Sequence, residues 1–405
     1  MERESTDRTR DGTGLARYLS QMDVWAIAFG CIIGWGAFVM PGTTFLPIAG
    51  PGGTLAAMAV SAVIMLIIGR NYAYLMARRP GTGGVYAYTK ECFGRDHAFL
   101  CSWFLSLSYL SIAFLNATAL FLVARTLFGG ALQVGPHYQV AGYEVYLAEV
   151  GLSVFALLSL GLLFIVKKPL LQHLQTVLAV VLLLGAAIVT LACLPALRTV
   201  KLFGGEAAFG MGAGGAASGM FTIVLLSPWA FVGFDVISLE TAHFRFPVKR
   251  SGRLVALSVL LGALVYAALS LVSISAAPEG FASWQDYIGA LGEQNGTEAL
   301  PAFYAAQAAL GRPGLWLMGL TALSAILTGI IAAYRATTRM LSTMAEDHIL
   351  SKRFSGTSFC ILFSMSLSIL VSFLGRSALE WFVELTTFGA IVGFGYTSAS
   401  AWRAR

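Results

Sequence analysis

Ten apolar runs, each long enough to cross a bilayer, succeed one another in this chain, and the basic segments between them alternate in side. They extend from about Met22 to Ile48, Thr54 to Ala77, His97 to Phe128, Glu144 to Val166, His173 to Leu194, Met220 to Phe244, Leu254 to Ala276, Leu315 to Met344, Ser358 to Leu374 and Leu379 to Trp402. A hydrocarbon core takes about 20 residues of helix, so the pattern predicts an all-α membrane protein with ten transmembrane helices. Of the 26 Lys and Arg, 21 fall on one side and five (Arg125, Arg198, Lys201, Arg312 and Arg376) on the other. Short basic loops stay in the cytoplasm, which puts both termini there and the chain in the inner membrane.

The net charge of +6 therefore reflects sidedness rather than an affinity for nucleic acid. Charged residues make up 11% of the chain, against about 25% in soluble domains. The five cysteines are scattered, with no C-x-x-C spacing, so neither a disulfide framework nor a metal site is expected. The polar first twenty residues lead into a full-length apolar run, so no cleavable signal peptide is expected.

Two runs carry breaks. Gly30 to Gly42 reads GCIIGWGAFVMPG inside the first, and Ser227 to Asp235 reads SPWAFVGFD inside the sixth. Glycine costs about 1 kcal/mol against alanine in a helix interior, and Pro228 removes a backbone donor. Taken singly, such glycines also serve close helix packing. Two breaks five spans apart instead point to an inverted repeat with a ligand held at midplane between the halves. The division is then 1–20 as a tail, 21–195 as one five-helix repeat, 196–219 as a connection and 220–405 as the second repeat.

Opened helices offer bare peptide dipoles. N–H groups at half-helix N-termini suit an anion, and free carbonyls suit an ammonium. A ligand carrying both groups close together is an α-amino acid. The backbone N–H groups of Gly34, Trp35 and Gly36 are the carboxylate donors expected, with Ala37 beside them. The carbonyls of Ile32, Trp229 and Val232 are the ammonium acceptors expected, next to Gly233.

These residues, the segment PGTGGVYAYTKECFG at Pro80–Gly94 and RMLSTMAEDHILSKRF at Arg339–Phe354 resemble the amino acid–polyamine–organocation superfamily of transporters over nearly the whole chain. The resemblance implies a LeuT-like fold of five plus five helices, with the first and sixth discontinuous, and secondary transport by alternating access. It also implies an aromatic gate at Trp229. The chain departs from the family pattern in four places. Trp35 stands where a small residue is usual, and either shrinks the pocket, lids it or points away. Leu182 replaces a helix 5 lysine. Glu240 and His243 replace paired acids before Phe246-Pro247-Val248-Lys249. The sequence given stops after the tenth helix.

Asp235 is a carboxylate inside an apolar span, which is functional by default. It pairs with a substrate amine, takes a proton, or holds the broken backbone. Trp229 and Phe231 are pocket walls, and Asn116 is a ligand contact or interhelical glue. Ala325 and Thr328 have the i, i+3 spacing of a LeuT-like sodium site, although a lone membrane Thr commonly bonds its own helix. Thr386 and Thr387 face the expected pocket. Arg335 and Arg339 are expected to pair with Glu346 or Asp347, or with lipid phosphate.

The reading is a permease for an amino acid or polyamine, working as symporter or exchanger. The coupling ion is open between H+ and Na+, the oligomeric state is open, and neither a cofactor nor an enzymatic activity is implied. A neutral or weakly polar substrate is favoured, because Asp235 is the one clear mid-membrane acid. The alternative is an amino-acid sensor that forms the membrane portion of a signalling protein.

Overall fold

The computed structural model describes residues 17–198, 200, 215–375 and 379–405. The expected tail up to residue 16, most of the 196–219 connection, Lys201 and Arg376 lie outside the described residues.

The chain enters the bundle through a capping box. Ser20 accepts from the Asp23 N–H at 3.3 Å, and Asp23 accepts from the Ser20 N–H at 3.0 Å. Helix α1 (Gln21–Ile32) follows and stops, and α2 (Gly36–Met40) resumes after a three-residue gap. A π-turn at Pro41–Phe45 leads into α3 (Leu46–Arg78), which is kinked at Gly50 (φ 63°), the residue before Pro51. Helix α4 (Gly84–Phe93) lies across the end of the bundle, and α5 (Arg95–Phe128) returns through it. A hairpin of β1 (His137–Val140) and β2 (Tyr143–Tyr146) precedes α6 (Leu147–Val166) and α7 (Lys168–Leu197).

The second half opens with α8 (Gly215–Phe231), then a 3-10 helix at Phe234–Leu239 and α9 (Ser251–Ser273). Short helices α10 (Trp284–Gly289) and α11 (Pro301–Leu310) cap the far end. They are followed by α12 (Arg312–Glu346), α13 (Thr357–Ser372) and α14 (Leu379–Arg403).

Seven segments among the described residues are long and apolar enough to cross a membrane, and Gln21–Ile32 and Thr357–Ser372 are shorter apolar helices. This is a multi-pass membrane protein. Large apolar side chains such as Ile67, Leu162, Leu191 and Leu264 point outward, as a lipid-facing surface requires. The centre holds α5 and α12, which pack on one another, with α14 and α7 beside them. The buried Ala332, Ala333 and Ala336 keep α12 slim enough for this.

In sequence Pro80–Gly94 reads as a glycine-rich loop too polar to cross lipid, yet it is not all loop: Val85, Tyr86, Tyr88 and Thr89 share a buried face, and Gly94 (φ 91°) ends helix α4. The fourth helix starts at Leu147 rather than Glu144, because Tyr143–Tyr146 pairs in the hairpin. Within the expected stretch Ser227–Asp235, the second break falls at Gly233 rather than at Pro228. The Val224 carbonyl that Pro228 leaves without a donor is taken by the Ser227 hydroxyl at 2.7 Å, so the helix continues to Phe231. It stops at Gly233 (φ 129°), beyond which the chain is 3-10 rather than α. Lastly, Arg339 pairs with Glu240 and not with Glu346 or Asp347.

The basic end of the bundle is shut. Tyr18 and Leu19 donate backbone N–H groups to the His243 carbonyl at 3.0 Å each, and Arg245 donates to Leu19 at 2.9 Å. Arg339 grips the buried Glu240 carboxylate with Nε and Nη2 at 3.0 and 3.2 Å. Lys90 bonds Asp347 at 2.5 Å, which ties α4 to the end of α12.

Candidate functional site

A cavity of about 700 Å³ lies where the two broken helices meet. Its floor is Cys31, Ile32, Gly34, Trp35, Gly36, Trp229 and Val232, and its walls include Ile112, Asn116, Leu226 and Tyr266. Thr43, Thr44, Ala141, Tyr143 and Glu384 stand at its mouth, so it opens toward the end opposite the basic one. Tyr143 is set there by the hairpin and by Arg125, which donates to its hydroxyl at 3.4 Å. Arg125 in turn grips the buried Glu149 at 2.5 and 2.6 Å.

Backbone groups at the gaps lie open. Among the described residues, no protein group bonds the N–H of Gly34 or Gly36, or the carbonyls of Ile32, Trp229 and Val232. Asn116 fixes the first gap. Its Oδ1 accepts from the Trp35 N–H at 3.1 Å and its Nδ2 donates to Ile112 at 2.8 Å. The Trp229 ring lies over Gly36, and a Cβ there would come within 2.2 Å of the indole. Free donors and free acceptors thus face one mainly apolar space, which can hold a small zwitterion by its charged ends.

A family model described as "Amino acid permease" matches residues 19–405. The chain belongs to the amino acid permease family. Among curated relatives, this family member is 26% identical over 278 residues to the branched-chain amino acid permease BcaP of Bacillus subtilis (strain 168), covering 65% of this chain and 56% of that protein. It is 27% identical over 269 residues to the human cationic amino acid transporter 4, covering 64% and 41%. The chain thus spans about half the length of the curated relatives it matches. In fold it is similar to a Na+-coupled sialic acid symporter in a substrate-bound outward-open state, with a TM-score of 0.66 at 12% identity over 99% of this chain and 82% of that one. It is also similar to a nucleobase-cation-symport-1 family transporter in a closed conformation, with a TM-score of 0.55 at 16% identity over 91% and 75%. The fold is the LeuT-like one.

Of the expected residues, Ile32, Gly34, Trp35, Gly36, Asn116, Trp229 and Val232 line the cavity of this family member, while Ala37, Phe231, Gly233 and Asp235 do not. The Trp35 N–H is held by Asn116 and so is not a free donor. The Trp35 indole packs beside Phe38 and Phe303, with ring centroids at 6.4 and 6.2 Å. Phe231 packs on Tyr266, and Gly233 packs on Cys31. Asp235 is buried behind the second gap, where it accepts from the Tyr109 hydroxyl and from the Gly233 N–H, the latter at 2.9 Å. Its carboxylate therefore holds the opened backbone.

Ala325 and Thr328 also lie off the cavity. The Thr328 hydroxyl bonds the Ser324 and Ala325 carbonyls at 2.8 and 3.0 Å, within its own helix. On α14 the cavity is lined by Val383 and Glu384 rather than by Thr386 and Thr387, whose hydroxyls bond the carbonyls one turn back. Tyr109 was missed, although it stands two turns before Asn116 on one helix and its hydroxyl serves the second gap as Asn116 serves the first. Glu384 and Tyr143 carried no signal, since the fold alone brings them to the mouth.

Proposed function

We propose that the chain is a secondary active transporter that moves an amino acid or related amine across the cytoplasmic membrane by alternating access. The observation that carries this reading is the pair of opened gaps, with free N–H groups at Gly34 and Gly36 and free carbonyls at Ile32, Trp229 and Val232 around one cavity. The N–H groups take the carboxylate, the carbonyls take the ammonium, and Trp229 closes over both. Ile32, Ile112, Leu115, Leu226 and Val383 around the remaining space favour a neutral, apolar side chain. Two five-helix repeats over ten spans, with the basic end in the cytoplasm, make the described conformation outward-open. The tied Tyr18–Leu19 segment and the Arg339–Glu240 pair form its closed inner side.

The test is counterflow. Purified protein in proteoliposomes loaded with leucine, arginine or putrescine is given the labelled compound outside. Saturable accumulation of leucine, weakened in Trp229→Ala, is expected. Saturable binding of the same compounds without any counterflow would overturn the transport reading and leave only a receptor.

A further inference from the structure

A second, small cavity of about 30 Å³ lies at the basic end, well away from the substrate cavity. Tyr18, Lys168, Glu240, Arg335, Thr338 and Arg339 line it. Three cations thus meet one carboxylate, an excess of two positive charges. His243 adds no negative charge. Its Nε2 accepts from Arg339 Nη2 at 2.8 Å.

The surplus is not absorbed by hydrogen bonds. Arg335 is buried. Its Nη2 donates to Gln172 at 2.7 Å and its Nη1 lies 3.9 Å from Glu240, but Nε has no partner among the described residues. The Thr338 hydroxyl is buried and has none either. On the same helix Thr321 and Thr328 each bond the carbonyl one turn back, whereas the buried Thr337 and Thr338 hydroxyls do not. The Gln172 Nε2 beside Arg335 is a further orphan. Every orphan here can donate. Each Glu240 oxygen, the obvious acceptor, already accepts from Arg339, and Arg335 Nη1 stands 3.9 Å from one of them. A water in this space would need acceptors for its own protons. An anion would need only donors.

We infer that this cavity is a binding site for a small monovalent anion of chloride size, held by Arg335 Nε, the Thr338 hydroxyl and the Lys168 ammonium. The volume admits about one water-sized guest, which sets the size class. The same cations hold Glu240, and Tyr18 belongs to the segment paired with His243, so the anion neutralises the cluster only while the basic end is shut. Opening that end separates Tyr18 and Glu240 from α12 and dismantles the site. Chloride therefore favours the state closed at the basic end. None of this depends on the identity of the transported substrate.

The test is thermal unfolding of the purified protein in sodium chloride, sodium bromide or sodium gluconate at constant ionic strength. Chloride and bromide are expected to raise the melting temperature saturably by a few degrees over gluconate. Thr338→Val should weaken the apparent affinity about tenfold, as loss of one hydrogen bond to a charged group does, and Arg335→Gln should remove the response. Thr321→Val, whose hydroxyl is spent within its helix, should titrate as the parent does. Should Arg335→Gln not fold, Thr338→Val decides alone. Equal melting in chloride and gluconate, or identical titrations of the parent and Thr338→Val, overturns the site. A response to inorganic phosphate or anionic lipid but not to chloride overturns its assignment to a chloride-sized ion.

Discussion

Gly36 and Trp229 touch across the two broken helices: a Cβ added to the glycine would sit 2.2 Å from the indole Cη2. The half-helix that begins at Gly36 therefore has its first residue beneath the aromatic ring supplied by the other half of the chain. Gly36→Ala forces the ring outward over the free N–H groups. At least a tenfold loss of transport is expected, with the folded, monodisperse protein retained. Trp229→Leu in the same background should restore part of the activity, because it removes the clash. Counterflow rates of the single and double variants provide the measurement, and no recovery in the double variant would mean that the contact is not what limits transport.

Asn116 holds the first gap by accepting from Trp35 and donating to Ile112. Asn116→Leu leaves the Trp35 N–H buried and unpaired, at a cost of about 1–3 kcal/mol. The expected outcome is a lower melting temperature together with weaker substrate binding, read by thermal unfolding with and without leucine. Asn116→Asp keeps the acceptor and loses the donor to Ile112, so it should bind better than Asn116→Leu. The reverse order would show that the Trp35 contact does not position the site.

Gly233 stops the other half-helix at φ 129°, a backbone region that side chains rarely adopt, and lies against Cys31. Gly233→Ala adds a Cβ 2.6 Å from the Cys31 Cβ and 2.8 Å from its carbonyl carbon. Strained backbone of this kind costs about 1–3 kcal/mol before any clash. A large fall in melting temperature or in folded yield is expected by size-exclusion chromatography. Cys31→Ala should not rescue it, because the backbone carbon remains in place. Folded yield equal to the parent would mean that the gap is not held by this glycine.

The breaks were legible because glycine and proline are costly in a lipid-embedded helix. Their edges were less legible. Pro228 reads as a helix stop, yet the neighbouring Ser227 supplies the missing donor and moves the stop to Gly233. The role of Asp235 depended on a partner from a different helix, Tyr109, which no local spacing names. The same holds for Arg339. Nearby acids in sequence suggested Glu346 or Asp347, but the segment after α8 folds back and presents Glu240. Pairings within a helix can be read from spacing, whereas pairings between helices wait on the packing.

Asp347 offers a pH test away from the membrane-spanning segments. Hydrogen bonds from Lys90 and Tyr86, in that order, hold its carboxyl below the ordinary aspartate value of 3.8, and Arg95 adds to this at longer range. A carboxyl depressed on folding contributes stability that is fully present above its unfolded value and is lost as pH falls through its folded value. The contact joins α4 to the end of α12, so its loss loosens the basic end. The parent should melt above Asp347→Asn by a constant margin from pH 5 to pH 7. That margin should shrink progressively below about pH 4. Lys90→Gln should lose part of the same margin at neutral pH, because Tyr86 and Arg95 remain. A margin that instead grew on acidification would show that the carboxyl is raised, not lowered, by its surroundings. It would also remove this contact from the set that keeps the basic end shut.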